Sequence, residues 1–189
     1  MAHANVKKFS IIACVTLACL SFNSAYAYGN KSMVSSISIN GLSTVLASLQ
    51  KESDLAVQFP QKMPKPAKPT QYYAYLEPSM SSYDNGYRID VDTTATCHGI
   101  KTCNVGSFST QKGGQVSMQT DMAKKPITVQ VHLVHHQSAY FTPSHAMGDY
   151  WPAMIQWVDQ GVLYSISWNT PSLKNEQTQL MQMADTVIH

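Results

Sequence analysis

Two cysteines and a histidine in the stretch TCHGIKTCNVG form the pattern that most directly indicates chemistry. His98 follows Cys97, and five residues separate Cys97 from Cys103. Three interpretations compete: a disulfide, a metal site and a redox-active dithiol. A structural zinc site needs about four ligands, and redox dithiols are typically separated by two residues. The spacing therefore favours a Cys97–Cys103 disulfide that closes one short loop.

Four histidines lie between positions 132 and 145, and they are the second candidate for chemistry. In the alternating segment ITVQVHLVHH, His132 and His136 share one strand face and His135 points to the other. Four positions along an ideal strand span roughly 13 Å, which is too far to chelate one ion unless the strand bends. The main interpretation assigns no metal, and a zinc or copper site of His132, His136 and His145 is kept as the alternative.

The motifs of catalysis and cofactor binding are absent from this sequence. There is no G-x-S-x-G, no H-E-x-x-H and no glycine-rich nucleotide loop. Asp90 and Asp92 do not fit a calcium loop, because Ala95 replaces the required glycine and Lys101 replaces the bidentate glutamate. We expect these two aspartates to be surface charges. The sequence predicts no cofactor and favours a non-enzymatic protein, and a hydrolase with an unrecognised site is left open.

The N-terminal third of the chain predicts one helix and one connector. Within the segment 28–58, apolar residues recur at helical spacing and define one face of a helix: Leu42, Val45, Leu46 and Leu49. Residues 59–70 contain four prolines and three lysines. Because proline fixes φ and removes a backbone donor, we expect this connector to be extended and exposed.

From Gln71 onward the pattern alternates with a period of two, which indicates strands. Asn85-Gly86 and the turn ending at Gly161 predict two hairpins. A final amphipathic segment predicts a helix that buries Leu180 and Ala184 against the sheet. Residues 71–189 are therefore expected to form an antiparallel, meander-like sheet plus a C-terminal helix. The fold class is α+β, in a single domain with the N-terminal and C-terminal helices packed on one face of the sheet.

The first 27 residues have the organisation of a secretory signal peptide. Lys7 and Lys8 precede the apolar run 11–20, and Ala25 and Ala27 form an A-x-A cleavage site. We expect cleavage after Ala27 and a periplasmic or secreted protein, with a lipid-modified Cys19 as the alternative. No later segment is apolar enough over sufficient length to cross a membrane.

The charge balance argues against nucleic acid as a partner. Removal of Lys7 and Lys8 with the leader leaves equal numbers of basic and acidic residues, and Arg88 is the only arginine. Nucleic-acid binding requires a clustered basic surface. Tyrosines are numerous from position 72 onward, and half-exposed aromatics are common on recognition surfaces. The sequence thus favours an exported protein that binds an unidentified protein or an envelope component through its sheet or loops.

A set of spaced motifs occupies the second half of the chain. They are C-x-G-x-x-x-C-x-x-G at 97–106, YFTP at 140–143, P-x-x-I-Q-W-x-x-x-G-x-x-Y-x-I at 152–166, and MAD-x-x-I in the last helix. Over residues 87–189 the chain thereby resembles an uncharacterised family of small bacterial exported proteins. The resemblance implies export and an α+β domain, without an established activity. It also implies that a second close cysteine pair has been lost near Ala146 and Tyr150.

Overall fold

The computed structural model describes residues 33–34, 39–64, 71–76, 85–134, 138–146, 150–169 and 173–187. The expected signal peptide lies outside these ranges, as does His136. The helices are α1 (Leu42–Glu52) and α2 (Glu176–Ala184), and a 3-10 turn at Leu173–Asn175 leads into α2. The strands are β1 (Met33–Val34), β2 (Ile39–Asn40), β3 (Met63–Pro64), β4 (Tyr72–Leu76), β5 (Gly86–Asp92), β6 (Asn104–Lys112), β7 (Val129–Val131), β8 (Ala139–Thr142), β9 (His145–Ala146), β10 (Tyr150–Trp151), β11 (Ala153–Asp159) and β12 (Val162–Trp168).

Eight strands form one mixed sheet in the order β2-β4-β5-β6-β12-β11-β8-β7. The fold is α+β as expected, but the sheet is not wholly antiparallel, because β2 runs parallel to β4. All other neighbours in this sheet are antiparallel. The strand order also differs from a continuous meander. The chain runs inward from β4 to β6, begins again at the opposite edge with β7, and runs inward to β12, so that β6 and β12 meet in the middle.

One face of the sheet forms the hydrophobic core. Strand register places Ile89 beside Phe108, Phe108 beside Ile166, and Ile166 beside Ile155. These four side chains are at most 1 % exposed. Because side chains alternate between the two faces of a strand, this apolar row requires the residues on either side of it to face the opposite way.

Helix α2 packs on β11 and β12 through an apolar stripe. Leu180 and Ala184 are fully buried, as the spacing predicts. Leu49 of α1 is also fully buried and belongs to the same apolar cluster as Leu180. No helix in the described part of the chain combines the length and apolar character needed to cross a membrane.

The start of the expected connector is packed against the core. The Phe59 ring meets Phe108 edge-on at a centroid distance of 5.9 Å. Met63 is 4 % exposed and lies in β3, which pairs with β1. The expectation of exposure is therefore wrong for Pro60, Met63 and Pro64, which are buried, because this part of the chain packs its apolar side chains against the core. It is confirmed for Gln61 and Lys62, which are exposed. Residues 65–70 lie outside the described ranges.

Candidate functional site

The second face of the sheet carries a floor of serines. Ser109 is the direct cross-strand partner of Ser165, and Ser107 is the partner of Ser167. Arg88 of β5 extends the first of these rows beyond Ser109. The four serines are short, so they leave space above the central strands β6 and β12. We call the resulting depression the serine groove.

The serine groove has a cavity volume of about 530 Å³. Its floor consists of the four serines, with Arg88 and Met154 beside them. The loop closed by the disulfide forms one wall, and the hairpin of β9 and β10 forms the other. The groove is therefore built from side chains far apart in sequence, and the sheet holds them in place.

The first wall is the Cys97–Cys103 loop, whose disulfide is present with a Cα–Cα distance of 5.9 Å. Lys101 and Thr102 line the groove from this loop. His98 and Gly99 both have left-handed backbone conformations, with φ of 48° and 76°. Gly99 is needed here because a Cβ atom at this position would lie 2.3 Å from the Tyr75 hydroxyl oxygen. The disulfide thus shapes a tight loop that is pressed onto the sheet.

Two buried carboxylates lie beneath this loop. Asp92 accepts hydrogen bonds from the Gly99 amide at 3.1 Å and from Asn104 Nδ2 at 2.9 Å. Asp90 accepts from Arg88 Nε at 3.1 Å and from Arg88 Nη2 at 2.9 Å. Both aspartates are 0 % exposed. The expectation of surface charges is wrong, because the disulfide loop folds back over a face that alternation alone marks as exposed.

Burial changes the proton affinity of Asp92. Desolvation of the carboxylate raises its pKa above the ordinary value of 3.8. The hydrogen bond from Asn104 acts in the opposite direction, followed by the charge of His98 and a hydrogen bond with Tyr75. Asp92 therefore binds a proton more readily in the folded protein than in the unfolded chain.

The second wall is the β9–β10 hairpin, which presents aromatic rings at the groove. Trp151 is the cross-strand partner of His145, and their rings lie nearly parallel with centroids 6.5 Å apart. Tyr150 and Trp151 are 47 % and 51 % exposed. Ser144 fixes the base of the hairpin to α2, because its amide and its hydroxyl both donate to the buried carboxylate of Glu176.

A segment between β6 and β7 closes a third side of the groove. The Ser117 amide donates to Gln156 Oε1 at 3.0 Å, and Gln156 continues the floor row beyond Ser165. Gln119 lines the groove, and its backbone N–H donates to Thr128 Oγ1 at 2.9 Å. These bonds tie a segment without regular strand structure onto the polar face, so the groove is bounded by ordered polypeptide there.

A contact between two side chains joins the two principal walls across the groove. Lys101 Nζ lies 5.8 Å from the centroid of the Trp151 ring, which is a cation–π arrangement. We call this contact the clasp. It connects the disulfide loop to the aromatic hairpin without a covalent bond.

The candidate metal histidines are distributed differently. His145 lines the groove, and its Nδ1 lies 3.0 Å from the Pro143 carbonyl oxygen. His132 is exposed just after the edge strand β7, away from the groove residues, and His136 is outside the described ranges. Within those ranges, no three His, Cys, Asp or Glu side chains are grouped so as to hold a metal ion. The three-histidine site stays a prediction.

The serine floor was missed as a site by sequence reasoning, although its signal is visible. Ser107 and Ser109 flank Phe108, and Ser165 and Ser167 flank Ile166. Each triplet predicts a strand with a polar face, but the register that aligns the two serine pairs arises from a pairing of distant strands. The groove could therefore not be located before β6 and β12 were known to be neighbours.

No protein-family model, curated protein or solved structure matches this chain. The resemblance to small exported proteins stays a prediction. Ala146 and Tyr150, the positions near which that family carries a second cysteine pair, are direct cross-strand partners in the hairpin of β9 and β10.

Proposed function

We propose that the protein is an exported, non-enzymatic binding protein that takes an envelope component or a partner into the serine groove. The observation that carries this proposal is the groove itself: a cavity over the middle of the sheet, lined mostly by residues with polar side chains and with exposed aromatic rings on one wall. The volume of about 530 Å³ falls within the ~300–1,000 Å³ of small-molecule binding sites. The proposal places both helices on the face opposite the groove, where they support its floor.

The support for binding is that the groove is already formed. The floor residues lie on β6 and β12, which are central strands with a neighbour on each side. Asp92 holds the disulfide loop, and Glu176 holds the base of the aromatic hairpin. A ligand therefore meets side chains that are already ordered, which reduces the entropic cost of association.

The chemistry of the lining favours binding over catalysis. The lining residues in the described part of the chain supply hydroxyls, amides, two cations and aromatic rings, with neither a carboxylate nor a thiol among them. Hydrolysis of glycosides typically uses a pair of carboxylates. Asp90 and Asp92 are both fully buried beneath the loop. The Ser144 hydroxyl donates to Glu176, so this serine is not paired with a histidine base.

Export is supported by the leader and by the disulfide. Disulfides persist in oxidising compartments and are rare in the cytosol. The Cys97–Cys103 bond is compatible with a periplasmic or extracellular location. N-terminal sequencing and intact mass of the exported protein test this part of the proposal. The sequence should begin at Tyr28, and a lipid-modified Cys19 would contradict cleavage after Ala27.

Binding through the groove is tested with isolated cell envelopes. Mature protein is mixed with washed envelope fragments, which are then sedimented, and the bound fraction is measured. We expect Ser165→Trp to fill the groove and to leave the protein in the supernatant. The matched control is Ser43→Trp, at an exposed serine on α1 that is outside the lining. If Ser165→Trp, shown to be folded by near-ultraviolet circular dichroism, sediments like the parent, the groove is not the binding site.

A further inference from the structure

We infer that the ligand of the serine groove is a saccharide that is neutral or acidic rather than cationic. This inference rests on the proposed function and specifies the ligand of the same site. It follows from three properties of the groove: a floor of hydroxyl groups, an exposed aromatic ring on the wall, and two charged side chains, both positive, among the described residues of the lining.

The floor is suited to a ligand that is rich in hydroxyl groups. Ser109 and Ser165 belong to strands whose backbone N–H and C=O groups already bond to neighbouring strands. Recognition from the floor must therefore use side chains rather than backbone groups. A serine hydroxyl both donates and accepts a hydrogen bond, as a sugar hydroxyl does. Asn104 and Gln119 add amide donors and acceptors at the sides.

This geometry argues against the two principal competing ligand classes. A peptide that binds by β-strand addition requires an open sheet edge, and the serine groove lies over the middle of the sheet. A wholly apolar ligand would cover the partly exposed hydroxyls of Ser109, Ser165 and Ser167 without offering them hydrogen bonds, which is unfavourable. A polyhydroxylated ligand needs no open sheet edge, and its hydroxyl groups can form hydrogen bonds with the serine side chains.

The aromatic wall supplies the apolar part of saccharide recognition. A pyranose ring has faces made of C–H groups, and these pack against the flat face of an aromatic side chain. Trp151 and Tyr150 are about half exposed at the groove. The His145 ring lies nearly parallel to the Trp151 ring, with centroids 6.5 Å apart, and so restricts the orientations open to it. A tryptophan held in this way loses little conformational entropy when a ligand packs on it.

The accessible charges determine which saccharides fit. Arg88 uses Nε and Nη2 to bond Asp90, and its side chain is 44 % exposed at the groove. A guanidinium has five N–H donors, so Arg88 retains donors for a ligand hydroxyl or carboxylate. Lys101 is the second cation of the lining. The nearby carboxylates of Asp90 and Asp92 are fully buried, so an ammonium group on a sugar would meet no accessible carboxylate among the described lining residues.

The probes for this inference are oligosaccharides of equal length that differ in the acetylation, and therefore in the charge, of the amino-sugar nitrogen. An array of neutral and acidic glycans is first tested for binding, and it includes N-acetylated chito-oligosaccharides with their deacetylated, cationic forms. Titration calorimetry then measures the affinity of the best ligands. We expect a neutral or acidic glycan to bind, and each deacetylated form to bind at least about tenfold more weakly than its acetylated partner.

Variants then assign the binding to the groove. Trp151→Ala and the double substitution Ser109→Ala/Ser165→Ala are each expected to weaken the glycan about tenfold. Met122→Ala is the control, because Met122 is 74 % exposed and outside the lining. Trp151→Phe keeps an aromatic ring and should retain most of the affinity, which separates loss of the platform from loss of folding.

The outcomes separate the ligand class from the proposed function. If no glycan binds while Ser165→Trp still abolishes sedimentation with envelopes, the saccharide inference is wrong and the binding groove stands. If the envelope interaction does not depend on Ser165, the proposed function itself fails. Preferential binding of the deacetylated glycans would overturn the argument from charge, and unchanged affinity in all groove variants would place the saccharide elsewhere.

Discussion

Lys101 Nζ and the Trp151 ring, 5.8 Å apart, join two walls of the serine groove that are otherwise held by separate anchors. Lys101 belongs to the disulfide loop, which Asp92 ties to the sheet, whereas Trp151 belongs to a hairpin whose base is bonded to Glu176. A cation–π contact at an exposed site contributes about 0.5–1 kcal/mol. The clasp is therefore weak enough to open when a ligand enters.

Removal of the clasp should expose Trp151 without unfolding the protein. We expect Lys101→Ala to lower the free energy of unfolding by no more than about 1 kcal/mol. Quenching of tryptophan fluorescence by acrylamide should increase, because the Trp151 ring loses the side chain that shields it. Trp157 and Trp168 are buried, so their contribution to the quenching should stay constant. Lys124→Ala, a substitution of an exposed lysine outside the groove, is the control. Equal quenching in both variants would show that Lys101 does not shield the ring.

Asp92 should make stability depend on pH in a defined direction. Its folded-state pKa is raised by burial, so between 3.8 and the raised value the folded protein binds more protons than the unfolded chain. The free energy of unfolding therefore falls as pH rises through this interval, and the loss is complete above the folded-state pKa. Below 3.8, both states are protonated, so this contribution to stability is fully present and no longer changes with pH.

Asp92→Asn isolates that contribution. The substitution removes the titrating group, so the stability of the variant relative to the parent should increase as pH rises from 3.8 and then reach a plateau. Urea unfolding at a series of pH values measures the difference. Asp54→Asn, at an exposed aspartate, controls for the removal of a carboxylate from the surface. A relative stability of Asp92→Asn that declines over the same interval would contradict the assigned direction.

The two aspartates also show where sequence reasoning reached its limit. Alternation in the segment from Tyr87 to Asp92 correctly separates Ile89 and Val91, which are fully buried in the core, from Asp90 on the other face. Alternation specifies the face of the sheet, but it does not specify what covers that face. The covering loop follows directly in sequence, and its return onto the sheet depends on the left-handed conformations at His98 and Gly99.

The remaining agreements and differences between the expected and the observed fold depend on whether a feature is local in the sequence or requires distant segments to pair. The helix of 42–52 and the burial of Leu180 follow from local periodicity, which the sequence contains in full. The parallel pairing of β2 with β4 involves two residues on each strand, too few to leave a periodic signal. The groove requires Ser109 to meet Ser165 across strands far apart in the chain. Contacts that depend on distant pairing could not be read from either segment alone.

Leu180 should be a sensitive position for stability, because it is fully buried on α2. Leu180→Asp places a charge without a partner in the apolar core and should lower the free energy of unfolding by several kcal/mol, of order 3–5. Gln177→Asp introduces the same side chain on the exposed face of the same helix and should change stability by less than about 0.5 kcal/mol. Comparable unfolding midpoints for the two variants would contradict the packing of α2 on the sheet.

The register of the aromatic hairpin gives the last prediction. Ala146 and Tyr150 are direct cross-strand partners, and such partners in an antiparallel pair have Cα atoms about 4.5–5.5 Å apart. Disulfides form at Cα separations of about 4.4–6.8 Å. The double variant Ala146→Cys/Tyr150→Cys should therefore form a second disulfide in exported protein, as the resemblance to proteins with a second cysteine pair also implies. Closing so short a loop should stabilise the fold by about 2 kcal/mol on the chain-entropy model.

The matched control for this disulfide is His145→Cys/Tyr150→Cys. His145 is adjacent to Ala146, so its side chain points to the other side of the hairpin and should not reach position 150. Mass spectrometry after thiol alkylation without reductant measures both variants. The first variant should contain no free thiols, and the second should be alkylated at both introduced cysteines. The opposite result would mean that the hairpin is shifted by one residue, which would turn Trp151 away from Lys101 and remove the clasp.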